Sequence, residues 1–141
     1  MGKYRVRKIG ERAFMTLLVA VVLVLGCGMT AMAEYQSKDG VTMYYYLTLS
    51  GNTWNAQTYC YEDMGSMVSL FIYKTKGGTL LQSDCKKVHN RTIVPGTSAT
   101  RTYAELSFKN SSATYGRSEH ALLWINTNVP YISALELIKS K

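Results

Sequence analysis

Two residue types that often carry out catalysis, histidine and cysteine, are scarce in this chain. His89 and His120 are the only histidines. Glu119 directly precedes His120, but neighbouring residues of a strand point to opposite faces, so these two cannot act together as an acid–base pair. No nucleophile elbow, zinc-protease signature, glycine-rich phosphate loop or calcium-binding loop occurs. The residues predict no catalytic site, and we expect that the protein is not an enzyme.

The cysteines favour a structural bond over a reactive site. Cys60 and Cys85 are the two cysteines beyond the N-terminal segment, and an even number in an exported domain predicts one disulfide. Closing that loop would contribute roughly 3.5 kcal/mol to stability. The cysteines are 25 positions apart and the histidines are few, which is not the spacing of a zinc site. We therefore predict neither a metal nor a cofactor.

Aromatic residues are the strongest candidates for a binding function. The run Tyr44-Tyr45-Tyr46 must place rings on both faces of a strand. Trp54 follows a Gly51-Asn52 turn signal and is expected to be partly exposed, whereas Trp124 lies in an apolar run and is expected in the core. Exposed aromatic side chains offer a large contact area at low entropic cost. Tyr44, Tyr46 and Trp54 are the predicted ligand-binding residues, for a glycan, a cell-envelope component or a protein. The alternative is that these tyrosines serve only strand formation.

An export signal accounts for the first 33 residues. A basic start leads into an uncharged stretch from Ala13 to Ala33, which ends in Ala31-Met32-Ala33. This arrangement is typical of a secretory signal cleaved before Glu34. The sequence thus predicts a signal peptide over 1–33, a domain over 34–141 and an extracellular location.

Two alternatives to cleavage before Glu34 remain open. The uncharged residues 13–33 would span roughly 31 Å as a helix, close to the thickness of a bilayer, so an uncleaved membrane anchor is one of them. Lipidation at Cys27, which follows the small residue Gly26, is the other. Membrane contact is expected only through these residues.

The charge of the chain argues against a nucleic-acid partner. The net charge is +7, but 11 basic and 8 acidic residues follow Ala33, which leaves +3. The basic residues are scattered, and Lys86-Lys87 is the only adjacent pair in the domain. A nucleic-acid-binding domain would show a clustered basic stripe.

Short strands and turn signals define the expected fold. Residues 41–49 alternate apolar and polar side chains, and a turn at Gly51-Asn52 leads to 54–61 as a hairpin. Further strands are predicted over 67–75, 99–108 and 120–127, with a hairpin turn at Lys76-Gly77-Gly78, and 80–94 carries a weaker pattern. Residues 131–141 fit a strand or a helix, and a strand is favoured. The expected fold is all-β, a small antiparallel β-sandwich of six or seven strands after an N-terminal signal helix.

One segment has a resemblance to a known family. Residues Ser112 to Asn126, SATYGRSEHALLWIN, resemble a stretch of the lactococcin 972-like secreted β-sandwich bacteriocins. The resemblance implies a secreted antibacterial protein that acts on a cell-wall precursor. The present chain departs from that family in its longer exported part and in Cys60 and Cys85. It is similar also to small exported proteins of Gram-positive gut bacteria. We expect a non-enzymatic recognition module, with a bacteriocin-like protein or a membrane-anchored surface protein as alternatives.

Overall fold

The computed structural model describes residues 30–141. The predicted signal helix, the lipidation site Cys27 and nearly all of the possible anchor lie outside the described residues. Within the described part, the chain folds into nine strands: β1 (Thr30–Lys38), β2 (Val41–Ser50), β3 (Thr53–Cys60), β4 (Met64–Tyr73), β5 (Leu80–Val88), β6 (Thr92–Ile93), β7 (Thr100–Lys109), β8 (Tyr115–Trp124) and β9 (Pro130–Ser140).

The strands form two antiparallel sheets. The five-stranded sheet has the order β1-β2-β3-β7-β6, and the four-stranded sheet has the order β5-β4-β8-β9. The all-β class and the antiparallel sandwich are therefore confirmed, with nine strands where six or seven were expected. Between Thr30 and Lys141 no helix is long and apolar enough to cross a membrane.

The hairpins form where turn chemistry predicts them. β2 and β3 pair from Tyr44↔Tyr59 to Ser50↔Thr53, and Gly51 in the turn has a φ of 57°. That backbone conformation strains any residue with a Cβ atom, which is why a glycine suits the turn. The second hairpin joins β4 and β5, and Gly77 in its turn has a φ of 70°.

Two strands begin well before their predicted positions, and one strand was not predicted. β4 begins at Met64 and not at Met67, because Met64 to Ser66 pair with the end of β8 and so satisfy their backbone hydrogen bonds. β8 runs over Tyr115–Trp124, which is shifted toward the N-terminus from the predicted 120–127. β9 is a strand, as favoured. β1 was not predicted, because its first four residues overlap the end of the predicted signal peptide.

The core lies between the two sheets and follows the alternation of each strand. In β2, Met43, Tyr45, Leu47 and Leu49 point inward, and β7 contributes Ala104, Leu106 and Phe108. The four-stranded sheet adds inward-facing Val68, Leu70 and Ile72 from β4. Burial of one face per sheet is the driving force that holds the sandwich together.

Side-chain hydrogen bonds also connect the sheets. Ser66 in β4 bonds Thr102 in β7 with 2.7 Å between hydroxyl oxygens, and the Thr102 hydroxyl donates to the Met64 carbonyl at 2.9 Å. Both side chains are fully buried. Burial of a hydroxyl group that has a hydrogen-bond partner costs little free energy. These bonds also fix the position of one sheet relative to the other.

The predicted disulfide is not formed in this structure: Cys60 and Cys85 are both free thiols. Cys60 ends β3 and points into the core, where it is fully buried. Cys85 lies in β5 of the other sheet and pairs with Ser69, on the face turned away from the core. The Cys60 side chain points into the core between the sheets, whereas the Cys85 side chain points away from it. Their sulfur atoms therefore cannot meet without moving a strand.

Candidate functional site

A row of four tyrosines crosses the outer face of the five-stranded sheet. The registers place Tyr35 beside Tyr44, Tyr44 beside Tyr59 and Tyr59 beside Tyr103. Paired residues of adjacent strands project to the same face, so one side of the sheet carries a tyrosine from each of β1, β2, β3 and β7. At a strand spacing of about 4.8 Å, the row extends over roughly 14 Å.

Tyr46 and Tyr61 widen this row into a platform. Tyr46 lies two residues along β2 from Tyr44, and its ring stacks on Tyr59 with centroids 5.7 Å apart. Tyr61 packs edge-on against both Tyr44 and Tyr59. We call the six residues Tyr35, Tyr44, Tyr46, Tyr59, Tyr61 and Tyr103 the tyrosine platform. The predicted binding residues Tyr44 and Tyr46 both belong to it.

The central rings of the platform, those of Tyr44, Tyr46 and Tyr59, cover one another's faces. Tyr44 and Tyr59 have centroids 5.0 Å apart and an interplanar angle of 13°. The hydroxyls of Tyr46 and Tyr59 hydrogen-bond at 2.8 Å, so the outer ends of these rings lie together. A flat sugar ring or base cannot stack on faces that are already in contact. The platform therefore presents hydroxyl groups and ring edges at its centre, with Tyr35 the most open member at 72% exposure.

A hydrogen-bonded carboxylate lies beside the platform on the same face. Glu105 accepts hydrogen bonds from the side-chain amides of Asn55 and Gln57, at 2.5 Å and 3.1 Å, and from the Tyr103 hydroxyl. These donors hold the pKa of Glu105 below its ordinary value, against the opposing effect of burial. Burial, followed by the bond to Glu105, raises the pKa of Tyr103. Glu105 is thus ionised and Tyr103 protonated at neutral pH.

Arg101 supplies a cation at the same surface. Its guanidinium carbon lies 4.4 Å from the ring centroid of Tyr103 and 5.0 Å from that of Tyr59. A guanidinium placed over tyrosine rings is held by the attraction between the charge and the ring electrons, and its N–H groups stay free to bind an anion. Aromatic, hydroxyl, carboxylate and guanidinium groups therefore meet on this face.

The structure overturns the prediction for Trp54. Its side chain is fully buried, because Trp54 lies at an inward-facing position of β3, as do Ala56 and Thr58. The indole lies against Gly116 of β8, where any Cβ atom would overlap the ring. Trp54 is a core residue and cannot contact a ligand on the folded domain.

Trp124 shows the opposite error. It was expected in the core but is 48% exposed, because it ends β8 beyond two register irregularities in the pairing with β9. Its ring packs edge-on against Tyr131, with 4.7 Å between centroids. Tyr131 also borders an open cleft of about 310 Å³ between the edge strands β1 and β9. No residue of the tyrosine platform lines this cleft.

His120 is held in a buried hydrogen-bonded cluster. Its Nδ1 lies 2.8 Å from the Thr58 hydroxyl and its Nε2 lies 2.7 Å from the Ser118 hydroxyl. A serine beside a histidine is the pairing of a nucleophile and its base. However, all three side chains are fully buried, so no substrate can reach the serine. Burial lowers the pKa of His120 to about 4, which keeps the ring neutral.

The cysteines and acidic residues form no comparable site. The Cys60 thiol donates to Glu62 at 2.8 Å, and burial raises its pKa to about 12, so it is not a nucleophile at neutral pH. Among residues 30–141, no group of three or more His, Cys, Asp or Glu side chains comes close enough to hold a metal ion.

Sequence reasoning missed Tyr61, which follows β3, and five residues within the strands: Tyr35, Tyr59, Tyr103, Arg101 and Glu105. Each of these five lies at an outward position of its strand, and alternation alone could have shown that. Their meeting depends on the register of three strand pairs, which only the structure provides.

The comparisons with known proteins find nothing similar. No protein-family model matches the chain, and no curated protein or solved structure matches it. The resemblance to the lactococcin 972-like bacteriocins therefore stays a prediction.

Proposed function

We propose that this protein is an exported, non-enzymatic recognition module whose tyrosine platform binds a component of the cell envelope, a glycan or a protein. The observation that carries the proposal is the register-aligned row Tyr35, Tyr44, Tyr59 and Tyr103 on a solvent-facing sheet. A sheet that needed only to fold would not require four aromatic residues in one row on its outer side, since the core already lies on the inner side.

The build of the platform supports binding over catalysis. Stacked rings and the Glu105 network fix the side chains before a ligand arrives, which lowers the entropic cost of association. The serine–histidine pair, by contrast, is sealed inside the core. Tyrosine with neighbouring amide and hydroxyl groups is also the composition that antibodies use for adaptable recognition.

The test is co-sedimentation of the exported protein with isolated Gram-positive cell walls. Tyr35→Ala removes the most exposed ring of the platform, and we expect it to weaken retention about tenfold without a change in the melting temperature. Tyr115→Ala is the matched control, because Tyr115 lies in the other sheet and packs on Tyr73. Protease treatment of the walls separates a protein ligand from a glycan.

Two outcomes would overturn the proposal. Equal retention of Tyr35→Ala, a Tyr44→Ala, Tyr46→Ala double variant and the unchanged protein would show that the platform is not the binding surface. A larger loss for Tyr115→Ala than for Tyr35→Ala would move the site to the opposite sheet.

A further inference from the structure

Two arginines lie at one end of the tyrosine platform. Arg101 covers the rings of Tyr59 and Tyr103. Arg91, just before β6, donates hydrogen bonds to the backbone carbonyls of Tyr61 and Thr100. Thr100 is the neighbour of Arg101, and Tyr61 packs on Tyr59. Both cations therefore lie near the start of β7, which pairs with β3 on one side and with β6 on the other.

Neither arginine has a carboxylate partner. The ion pairs of the described residues join Arg117 to Glu119 and Glu136, and none includes Arg91 or Arg101. Glu62 and Glu105 already accept hydrogen bonds, Glu62 from the Cys60 thiol and Glu105 from the amides of Asn55 and Gln57. Lys86 adds a further positive charge near Glu105. This end of the platform thus carries cations whose charge no carboxylate balances within hydrogen-bonding distance.

The chemistry of the surface selects among anionic ligands. Guanidinium groups bind carboxylates and phosphates through paired hydrogen bonds. The phenol hydroxyls and the amides beside them are donors and acceptors suited to a ligand rich in hydroxyl groups. A single-stranded nucleic acid needs open ring faces on which its bases stack, but the central rings stack on one another. Tyrosine and arginine also occur at the centres of protein interfaces, so a polypeptide ligand is one of the outcomes that the test below distinguishes.

We propose that the ligand of the platform is an anionic glycan, a sugar or polyol chain that carries carboxylate or phosphate groups, with its anion bound by Arg101 and with Arg91 adding positive charge nearby. The proposal rests on the platform's being the binding surface. The ligand chain lies along the row of tyrosines, and its hydroxyls bond the phenol groups while one charged group reaches the arginine end.

The test measures binding of three polymers to the exported protein by titration calorimetry. Polygalacturonate supplies carboxylates, a ribitol-phosphate polymer supplies phosphates, and dextran is the neutral control. We expect one or both anionic polymers to bind, more weakly at high salt, and dextran not to bind. Comparison of the two anionic arms shows which group is preferred.

The matched variants are Arg101→Gln and Arg117→Gln. Arg117 also lies over an aromatic ring, that of Phe71, but it is on the opposite sheet and is paired with two glutamates. We expect Arg101→Gln to weaken binding of the anionic polymer by about tenfold or more, and Arg117→Gln to leave it unchanged. Equal effects of the two variants, or none from Arg101→Gln, would overturn the anionic-glycan proposal.

Two further outcomes separate this inference from the proposed function. If Tyr35→Ala loses cell-wall binding while Arg101→Gln does not, the platform is the binding surface but the anion assignment is wrong. If polyglutamate binds as tightly as polygalacturonate, with the same dependence on Arg101, the surface recognises only the negative charge of its ligand. The glycan assignment is then wrong.

Discussion

Whether an aromatic residue lies at an inward or an outward position of its strand decides whether it packs in the core or lies on the surface. Trp54 and Tyr59 lie in the same strand, but Trp54 points into the core and Tyr59 lies on the platform. Alternation could have placed Trp54 inward, beside Ala56 and Thr58. The Gly51-Asn52 turn suggested exposure, and the space that Gly116 leaves for the indole could not be seen, because the two residues belong to different sheets.

His120 makes the stability of the fold depend on pH. Its pKa is about 4 in the folded state and about 6.5 when unfolded. Above pH 6.5 the ring is neutral in both states and stability is greatest. As the pH falls from 6.5 to 4, only the unfolded state takes up the proton, so we expect a loss of about 3 kcal/mol.

Denaturant unfolding across this pH range measures the effect. His120→Gln should abolish the loss, whereas Glu105→Gln should keep it, because the lowered pKa of Glu105 acts at more acidic pH. A His120→Gln variant with an unchanged pH profile would show that another group is responsible.

The two free thiols should differ in reactivity. Cys85 is exposed and Cys60 is buried with a raised pKa, so a thiol reagent should modify one site in the folded domain and both after denaturation. Cys85→Ser should remove the fast reaction alone. If denatured, unreduced protein shows no reactive thiol at these positions, the disulfide predicted from the sequence is present after all.

Local patterns predicted most elements of the fold, and pairing partners decided the rest. β2 and β7 could be found from alternation, β3 from the Gly51 turn that precedes it, and the Gly77 turn from residue type. The last segment fitted a strand or a helix, and it forms β9. β5 was weak in the sequence because its residues are mostly exposed on both sides, so it lacks an apolar period. The starts of β4 and β8 depend on their mutual ladder, and a single sequence does not show such long-range pairing.

Strand β1 extends across the predicted signal-peptide boundary. Its residues Thr30 to Ala33 pair with Leu49 to Tyr46, and Glu34 to Lys38 pair with Tyr45 to Val41. The second group includes the bond from the Tyr45 hydroxyl to Glu34 at 2.9 Å. A chain that begins at Glu34 should therefore keep its fold and lose about 1 kcal/mol, which lowers the melting temperature by roughly 4–8 °C.

Calorimetry of chains that begin at Thr30 and at Glu34 measures this difference. Glu34→Gln in the shorter chain tests the contribution of the tyrosine bond. Failure of the shorter chain to fold would place Thr30 to Ala33 within the essential domain, and the boundary before Glu34 would be wrong.

Contacts between the two sheets hold the whole sandwich together. Trp54 against Gly116 and Thr58 with His120 are two such contacts, and each joins β3 to β8. Covering one face of each sheet leaves the other face of the five-stranded sheet free for the tyrosine platform. The architecture thus separates the surface that stabilises the fold from the surface proposed to bind.

Gly116→Ala tests the packing between the sheets. The added methyl would overlap the Trp54 indole, so we expect a loss of about 1–3 kcal/mol in global stability. Trp54→Phe in the same chain should recover part of this loss, because the smaller ring leaves space for the methyl group. Strictly additive costs of the two substitutions would show that the side chains do not interact.

The contrast between the tryptophans also gives the protein two optical reporters of its own. Trp54 is sealed, so its emission should lie toward the blue and resist iodide, whereas half-exposed Trp124 should be quenched readily. Trp124 belongs to the four-stranded sheet, so a ligand on the tyrosine platform should leave its quenching unchanged. One unlabelled sample can therefore report two things at once. The quench-resistant emission of Trp54 reports the integrity of the core, and the quenchable emission of Trp124 reports the surface of the four-stranded sheet.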